Sequence, residues 1–162
     1  MPEPRETVVL LTEEPVQAAD AERIIALHEG EDLLYRVLVP TDTERNLLAE
    51  VVDRLSLGQL RQALDAVRGP DPQRARAQAQ EVLDATLFSL RERGRDADGA
   101  LTADDPLPAL EQAVRGHGAR EVVVVTRPRA LEDTFHRDWA SRAREELGVP
   151  VLHLYGGTTF LG

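Results

Sequence analysis

The sequence has 162 residues, of which 42% are hydrophobic and 4% aromatic, and its formal net charge is −10. This length is typical of a single domain with an aliphatic core, and the acidic balance argues against nucleic acid or an anionic membrane as a partner. All 19 basic residues are arginine and there is no cysteine, which excludes lysine Schiff bases, a phosphate-loop lysine, thiol catalysis and disulfides.

The first half of the chain alternates apolar runs with helical patterns. Thr7–Leu11 predicts a strand covered on both faces, and Pro15 is placed to begin the helix that follows. That helix is predicted over Val16–Glu29, with Gly30 after it, and Leu33–Val39 predicts the second strand. The apolar side of the helix comprises Ala21, Ile24, Ile25, Leu27 and His28.

The middle of the chain is mainly helical. Thr41 and Glu44 have the spacing of a capping box, which predicts a helical insertion over about 44–70. After a break at Gly69–Pro72, Gln73–Arg93 predicts a long helix with five inward positions: Ala79, Val82, Leu83, Leu87 and Leu90. Asp96–Leu101 is a weak strand, which its position in the alternation supports.

The last third repeats the alternation. A helix over Leu107–Arg115 is predicted to be capped by the preceding segment Asp104–Pro106, and Glu121–Thr126 predicts the fourth strand. A helix over Glu132–Leu147 carries Phe135, Trp139, Ala143 and Leu147 on one face and ends before Gly148. Val151–Tyr155 predicts the fifth strand.

This order of elements predicts an α/β protein with a three-layer α/β/α sandwich and a five-stranded parallel sheet. No repeat or internal boundary is visible, so residues 1–162 are predicted to form one domain that includes the insertion at about 44–70. No signal peptide and no apolar run of about 20 residues is present, and we therefore expect a cytoplasmic protein.

The alternation resembles that of the universal stress protein family. The local features that match are the acidic turn Thr12–Glu14 after the first strand, the helix start Asp105–Pro106, and the entry Gly148–Leu152 into the last strand. The resemblance implies the adenine nucleotide alpha hydrolase-like fold, with strand order 3-2-1-4-5. It also implies a homodimer formed along the last strand, Val151–Tyr155.

Ligands of such sheets bind beyond the carboxyl ends of the strands, where the strand order reverses. ATP-binding members of the family carry a loop of the form Gly-x2-Gly-x(8–9)-Gly-Ser/Thr after the fourth strand. Every glycine of that loop is missing here, Pro128 lacks an N–H group, and Glu13 stands where the family has an adenine-contacting aspartate. The candidate cofactor-binding positions at this end of the predicted sheet are Thr12, Glu13, Val39, Thr126, Arg127, Arg129 and Ser141.

Two interpretations of the arginines in this loop compete. Arg127, Arg129 and Arg137 could bind a phosphate through side-chain hydrogen bonds. They could equally be solvated charges paired with the acidic residues Glu132, Asp133 and Asp138. We favour the second interpretation, because a phosphate site of this family depends on backbone donors that the sequence lacks.

The sequence indicates no catalytic and no metal site. The four histidines, His28, His117, His136 and His153, are not paired at a metal-ligand spacing. Neither a G-x-S-x-G elbow nor a phosphate-binding glycine motif is present. His28 and His117 are expected at helix C-terminal ends, and His153 inside the last strand, buried or at an interface.

These features predict a regulatory, stress-associated module that is homodimeric, has no enzymatic activity, and does not bind ATP in the family's usual way. A binder of an adenine nucleotide or another anion through arginines at the switch point is the first alternative. An enzyme of the wider nucleotide-binding α/β group is the second.

Overall fold

The computed structural model describes residues 5–41, 72–103, 106–126 and 143–157. The predicted insertion at about 44–70 lies outside these residues, as do Asp104, Asp105 and the first part of the predicted helix Glu132–Leu147. That the chain forms one domain with a helical insertion therefore stays a prediction.

Five strands form one parallel sheet in the order β3-β2-β1-β4-β5. The strands are β1 Glu6–Thr12, β2 Leu33–Pro40, β3 Asp96–Thr102, β4 Ala119–Thr126 and β5 Val151–Tyr155. The predicted fold class and the strand order 3-2-1-4-5 are confirmed. All five predicted strands are present, and the first four are one or two residues longer than their apolar runs indicated.

Within the described ranges, three helices and a short helical segment at 143–147 flank the sheet. The helices are α1 Ala18–Ala26, α2 Pro72–Glu92 and α3 Leu107–His117. The prediction that Pro15 begins α1 is wrong, because the N-cap is Gln17, whose backbone is extended. Gly148 follows the segment at 143–147 with a φ of 68°, as expected of a glycine that ends a helix.

Two apolar clusters fill the spaces between the sheet and its helices. One joins α1 and α2 to one face of the sheet, through side chains such as Ile24 and Leu83 against Leu10 and Val37. The other joins α3 and Ala143 to the opposite face. Leu27 was predicted on the inner side of α1 but is 50% exposed, because α1 ends at Ala26 and the chain turns there.

β3 has a weak apolar signal because it lies at an edge of the sheet and against α2. Ala97 is buried, whereas Asp96 and Asp98 are exposed and pair with Arg5 and Arg36. Gly99 admits the close approach of α2, since a β-carbon there would lie 2.6 Å from Cδ1 of Leu83. The strand is therefore specified by its neighbours and much less by its own side chains.

The two edges of the sheet differ in character. The β3 edge presents the carboxylates of Asp96 and Asp98 to solvent. β5, at the other edge, has no charged residue in the sequence VLHLY. Four of its five side chains are already buried within one chain, and Leu152 is the one that is partly exposed.

An ion-pair cluster surrounds the amino ends of the strands, at the end of the sheet opposite the candidate site. Arg120 contacts the carboxylates of Glu6 at 2.5 Å and Glu31 at 2.6 Å, while Arg5 contacts Asp32 and Asp96. The Arg5 guanidinium lowers the pKa of Asp32. These groups are largely solvent-exposed, so we assign them a minor structural role.

Candidate functional site

The strand order reverses between β1 and β4, and the carboxyl ends of these strands border the switch-point crevice of the fold. From β1 the chain proceeds outward to β2 and β3, and it returns through β4 to β5 on the other side. The described residues at this end of the sheet are those that follow β1, β2, β3 and β5. We refer to residues 12–16 and 40–41 together as the crevice rim.

The turn after β1 is closed on itself by Thr12. The Thr12 hydroxyl donates to the carbonyl of Glu14 at 2.6 Å and accepts from the Glu14 N–H at 3.3 Å. The Thr12 side chain is buried, whereas Glu13 and Glu14 are half-buried. This local hydrogen-bonded turn brings two carboxylates to the crevice rim and uses the N–H of Glu14.

A second backbone N–H of the rim, that of Val16, bonds to a helix that is distant in the sequence. The N–H of Val16 donates to the hydroxyl of Thr86, on α2, at 3.2 Å, and Thr86 is fully buried. This bond joins the β1 turn to α2 across the α1 side of the sheet. Pro15, between Glu14 and Val16, has no N–H group.

Hydrogen bonds also join the carboxyl ends of β2 and β3. Both the N–H and the hydroxyl of Thr41 donate to the carbonyl of Thr102, at 3.1 and 2.7 Å. The Thr102 hydroxyl in turn donates to the carbonyl of Ala103 at 2.9 Å. Pro40, the last residue of β2, has no N–H group to offer.

The crevice rim is consequently poor in hydrogen-bond donors. The N–H groups of Glu14, Val16 and Thr41 donate within the protein, and so do the hydroxyls of Thr12 and Thr41. The turn after β1 also carries the side chains of Glu13 and Glu14. A phosphate group requires several hydrogen-bond donors, and the donors named above are used within the protein.

Asp20 connects the first turn of α1 to the chain that follows β5. Its two carboxylate oxygens lie 3.1 and 3.0 Å from the N–H of Gly157, and Oδ1 also accepts from Arg23 at 3.1 Å. Asp20 is only 6% exposed. A buried carboxylate in the first turn of a helix is stabilised by the helix dipole and by these bonds.

The structure brings four of the seven sequence-predicted binding positions to this end of the sheet. Thr12 and Thr126 end β1 and β4, Glu13 lies in the turn, and Val39 precedes the last residue of β2. The Val39 side chain is buried in the apolar cluster beneath α1 and α2. Arg127, Arg129 and Ser141 lie outside the described residues, and their roles stay predictions.

Sequence reasoning missed Asp20 and Thr86. A signal for Asp20 was present, because it falls within the buried stripe of α1 that includes Ala21 and Ile24. A polar residue inside an apolar stripe indicates a buried hydrogen-bond partner. Thr86 lies between Leu83 and Leu90 on the buried side of α2 and could have been found in the same way.

The described histidines, His28, His117 and His153, lie away from the rim. His28 follows α1 and is buried. Its Nε2 lies 3.0 Å from a carboxylate oxygen of Glu121 on β4, a contact that the sequence did not predict. Its Nδ1 lies 3.2 Å from the carbonyl of Ile24. His153 is buried in β5, as predicted. Within the described ranges, no group of three or more His, Asp or Glu side chains could hold a metal ion.

No helix among the residues that the structure describes is long and apolar enough to span a bilayer.

Comparison with known proteins supports the fold and leaves the sequence relationship distant. No family model matches the chain, and no curated protein is similar to it in sequence. A universal stress protein family protein from Arabidopsis thaliana, solved with AMP bound, matches with a TM-score of 0.53 and 13% identity over 94% of this chain and 93% of its own.

A second solved structure, that of hypothetical protein MJ0577, matches with a TM-score of 0.50 and 10% identity over 96% of this chain and 99% of that protein. Both alignments span nearly the whole of each chain. At this level of identity, they establish similarity of fold. The chain therefore has the fold of a universal stress protein, as the order of its sequence elements indicated.

Proposed function

We propose that this protein is a cytoplasmic regulatory module of the universal stress protein type. In this proposal it has no enzymatic activity, forms a homodimer through β5, and does not bind ATP in the family's usual way. It acts by presenting its surface to other proteins.

The observation that carries this proposal is the use of the rim's hydrogen-bond donors within the protein. Three backbone N–H groups are already bonded, two prolines have none, and Glu13 and Glu14 add negative charge. On the other side of the crevice, the sequence after β4 lacks all the glycines that bring backbone donors to a phosphate. The bonded rim donors and the missing glycines together support a loss of the family's usual ATP binding.

Isothermal titration calorimetry with ATP and Mg²⁺ tests this proposal. We expect no saturable heat at ligand concentrations up to about 1 mM, which corresponds to a binding free energy weaker than about −4 kcal/mol. A dissociation constant in the low micromolar range would contradict it, unless alanine at both Arg127 and Arg129 abolished the binding.

That exception defines the second candidate function, a binder of an adenine nucleotide or another anion through arginine side chains. Arg127 and Arg129 follow β4, and the Arabidopsis protein of similar fold was solved with AMP bound. Titration with AMP in parallel separates the two candidates. Micromolar binding that depends on Arg127 and Arg129 supports the second candidate, and binding that is unaffected by both substitutions contradicts it.

The absence of an assembled nucleophile favours a non-enzymatic role over an enzyme of the nucleotide-binding α/β group. The Thr12 hydroxyl uses its proton in a bond to a backbone carbonyl, and the two described buried histidines are distant from the rim in the fold. A general base within hydrogen-bond reach of a hydroxyl is the minimum arrangement for nucleophilic catalysis. The described part of the crevice shows no such pair.

The difference between the sheet edges supports a homodimer through β5. β3 carries the charged residues Asp96 and Asp98, as edge strands protected from pairing commonly do, whereas β5 carries no charge. Pairing of β5 with its copy across a two-fold axis would satisfy the free backbone groups of both strands and cover Leu152.

A further inference from the structure

The outer face of α2 carries an apolar side chain that the described residues leave largely exposed. Phe88 is 62% exposed, the largest exposure among the described large apolar residues. It borders a shallow groove whose described lining residues all belong to α2: Asp84, Leu87, Phe88, Arg91 and Glu92. An exposed aromatic residue beside a groove is typical of an interaction surface.

Asp84, Leu87, Phe88 and Arg91 form a single stripe along the helix. They stand at the spacing i, i+3, i+4 and i+7, which places them one above the other on about two helical turns. This is the spacing by which one helix packs along another. We call these four residues the α2 stripe.

The two charged residues of the α2 stripe are held in place without an opposite charge beside them. Asp84 accepts a hydrogen bond from Gln80 at 2.9 Å, and Arg91 donates to the carbonyl of Ala97 at 3.1 and 2.7 Å. Neither forms an ion pair with any other residue in the described ranges. Neither charge is neutralised within the described residues, and Nη1 of Arg91 makes no hydrogen bond among them that a partner would have to replace.

The α2 stripe is self-complementary under a two-fold rotation. Asp84 and Arg91 lie at equal distances on either side of the midpoint between Leu87 and Phe88. In an antiparallel pair of α2 helices centred on that midpoint, Asp84 of each copy faces Arg91 of the other. Leu87 and Phe88 meet their counterparts between these two ion pairs.

We propose that a second copy of this chain binds the α2 stripe in an antiparallel arrangement, with two symmetric Asp84–Arg91 pairs around a Leu87–Phe88 centre. This contact is separate from the β5 contact, because α2 packs on β2 and β3, which lie toward the opposite edge of the sheet. It is small, and Glu92 lies at its rim, where water screens repulsion. The contact is accordingly weak, with self-association in the range of about 10 to 500 μM.

Charge reversal tests the arrangement, with sedimentation velocity over that concentration range as the measurement. Asp84→Arg alone and Arg91→Asp alone each place two like charges face to face, and each should weaken the association at least about tenfold. The double variant with both reversals restores both pairs and should associate as the original protein does. An equimolar mixture of the two single variants should associate as well, since every facing pair in the mixed dimer is then opposite in charge.

Two controls keep the test specific. Arg76→Asp reverses an exposed charge on α2 outside the stripe and should leave the association unchanged. Phe88→Ser should weaken the association without lowering the melting temperature. A lower melting temperature with an unchanged mass would mean that the chain's own residues cover Phe88, which overturns the proposal.

The proposal would also be overturned if Asp84→Arg left the association unchanged, or if the mixture of the two single variants remained dissociated. The β5 contact is assayed independently through Leu152→Asp. Loss of mass in that variant, with the charge-reversal pattern unaffected, distinguishes the two surfaces.

Discussion

Gly99 is a glycine at which an added β-carbon would meet neighbouring atoms. A β-carbon there would lie 2.6 Å from Cδ1 of Leu83 and 3.1 Å from Cβ of Val37, with the Val37 carbonyl closer still. Gly99→Ala should therefore lower the free energy of unfolding by about 1–3 kcal/mol, because the backbone oxygen cannot move aside. Urea unfolding followed by circular dichroism measures the change.

Gly116 is the matched control for that substitution. It lies within α3, no atom comes within 4 Å of a β-carbon placed there, and its φ is not positive. Gly116→Ala should raise the free energy of unfolding by about 0.5–1 kcal/mol, since alanine favours the helix. Equal effects of the two substitutions would show that α2 does not restrict Gly99.

Tyr35 gives the protein a pH dependence at the alkaline end. Burial raises the pKa of this phenol above its ordinary value of 10.0. The unfolded chain loses the phenolic proton near pH 10 while the native state keeps it, so the free energy of unfolding falls as the pH rises from 10 toward the folded-state pKa. Below pH 10 this contribution is fully present.

Tyr35→Phe removes that titration. The variant should show a shallower loss of stability between pH 10 and 11 than the original protein, as measured by urea unfolding at each pH. At pH 7 the two should differ by about 1 kcal/mol or less, because the Tyr35 hydroxyl is 3.5 Å from Nδ1 of His28 and forms a weak bond at most. If Tyr35→Phe and the original protein lost stability equally between pH 10 and 11, Tyr35 would not be the source of this pH dependence.

At the scale of elements, the bond from Gly157 to Asp20 fixes the end of β5 to α1. Asp20→Ala removes the acceptor, so the Gly157 amide should exchange with solvent at least about tenfold faster by nuclear magnetic resonance. The free energy of unfolding should fall by about 1–3 kcal/mol. Glu22→Ala changes an exposed carboxylate of the same helix, and it should leave the exchange rate unaltered.

Unchanged exchange in Asp20→Ala would mean that the turn after β5 is held by other contacts.

The elements were predictable to different degrees, for reasons visible at particular residues. Strands such as β1 and β4 are buried on both faces, and their continuous valine and leucine runs showed them. β3 was predicted from its place in the alternation of strands and helices, because its own side chains give a weak strand signal. Its two aspartates pair with arginines of neighbouring segments, and Gly99 leaves room for α2. The start of α1 was misplaced because Pro15 can occupy a turn as well as a first helical position.

The candidate site was predictable in location and unpredictable in character. The fold alone places it at the carboxyl ends of β1 and β4. The pairing of Thr41 with Thr102 and of Val16 with Thr86 depends on residues 61 and 70 positions apart in the chain. A local sequence pattern cannot show which residues so far apart in the chain come into contact. The hydrogen bonds made by the rim's donors could therefore be identified only in the structure.

At the scale of the whole molecule, the proposed homodimer is tested at Leu152, the partly exposed side chain of β5. Light scattering of the original protein at micromolar concentration should give twice the 17.9 kDa of one chain. Leu152→Asp places like charges near the two-fold axis and should give the mass of one chain. Leu154 is less suitable, because it is 4% exposed and an aspartate there would unfold the chain.

Leu27→Asp is the control, since Leu27 is 50% exposed but lies at the end of α1. It should leave the mass unchanged. A mass of 17.9 kDa for the original protein would contradict the proposed dimer.

The unlike edges of the sheet have a consequence for how far assembly along the backbone can proceed. When two copies join through β5, the outermost strand at each end of the combined sheet is β3. The charged residues Asp96 and Asp98, each paired with an arginine, then lie on both outermost strands, and charged side chains disfavour the addition of a further strand. In the proposed homodimer, strand addition is therefore disfavoured beyond the second copy.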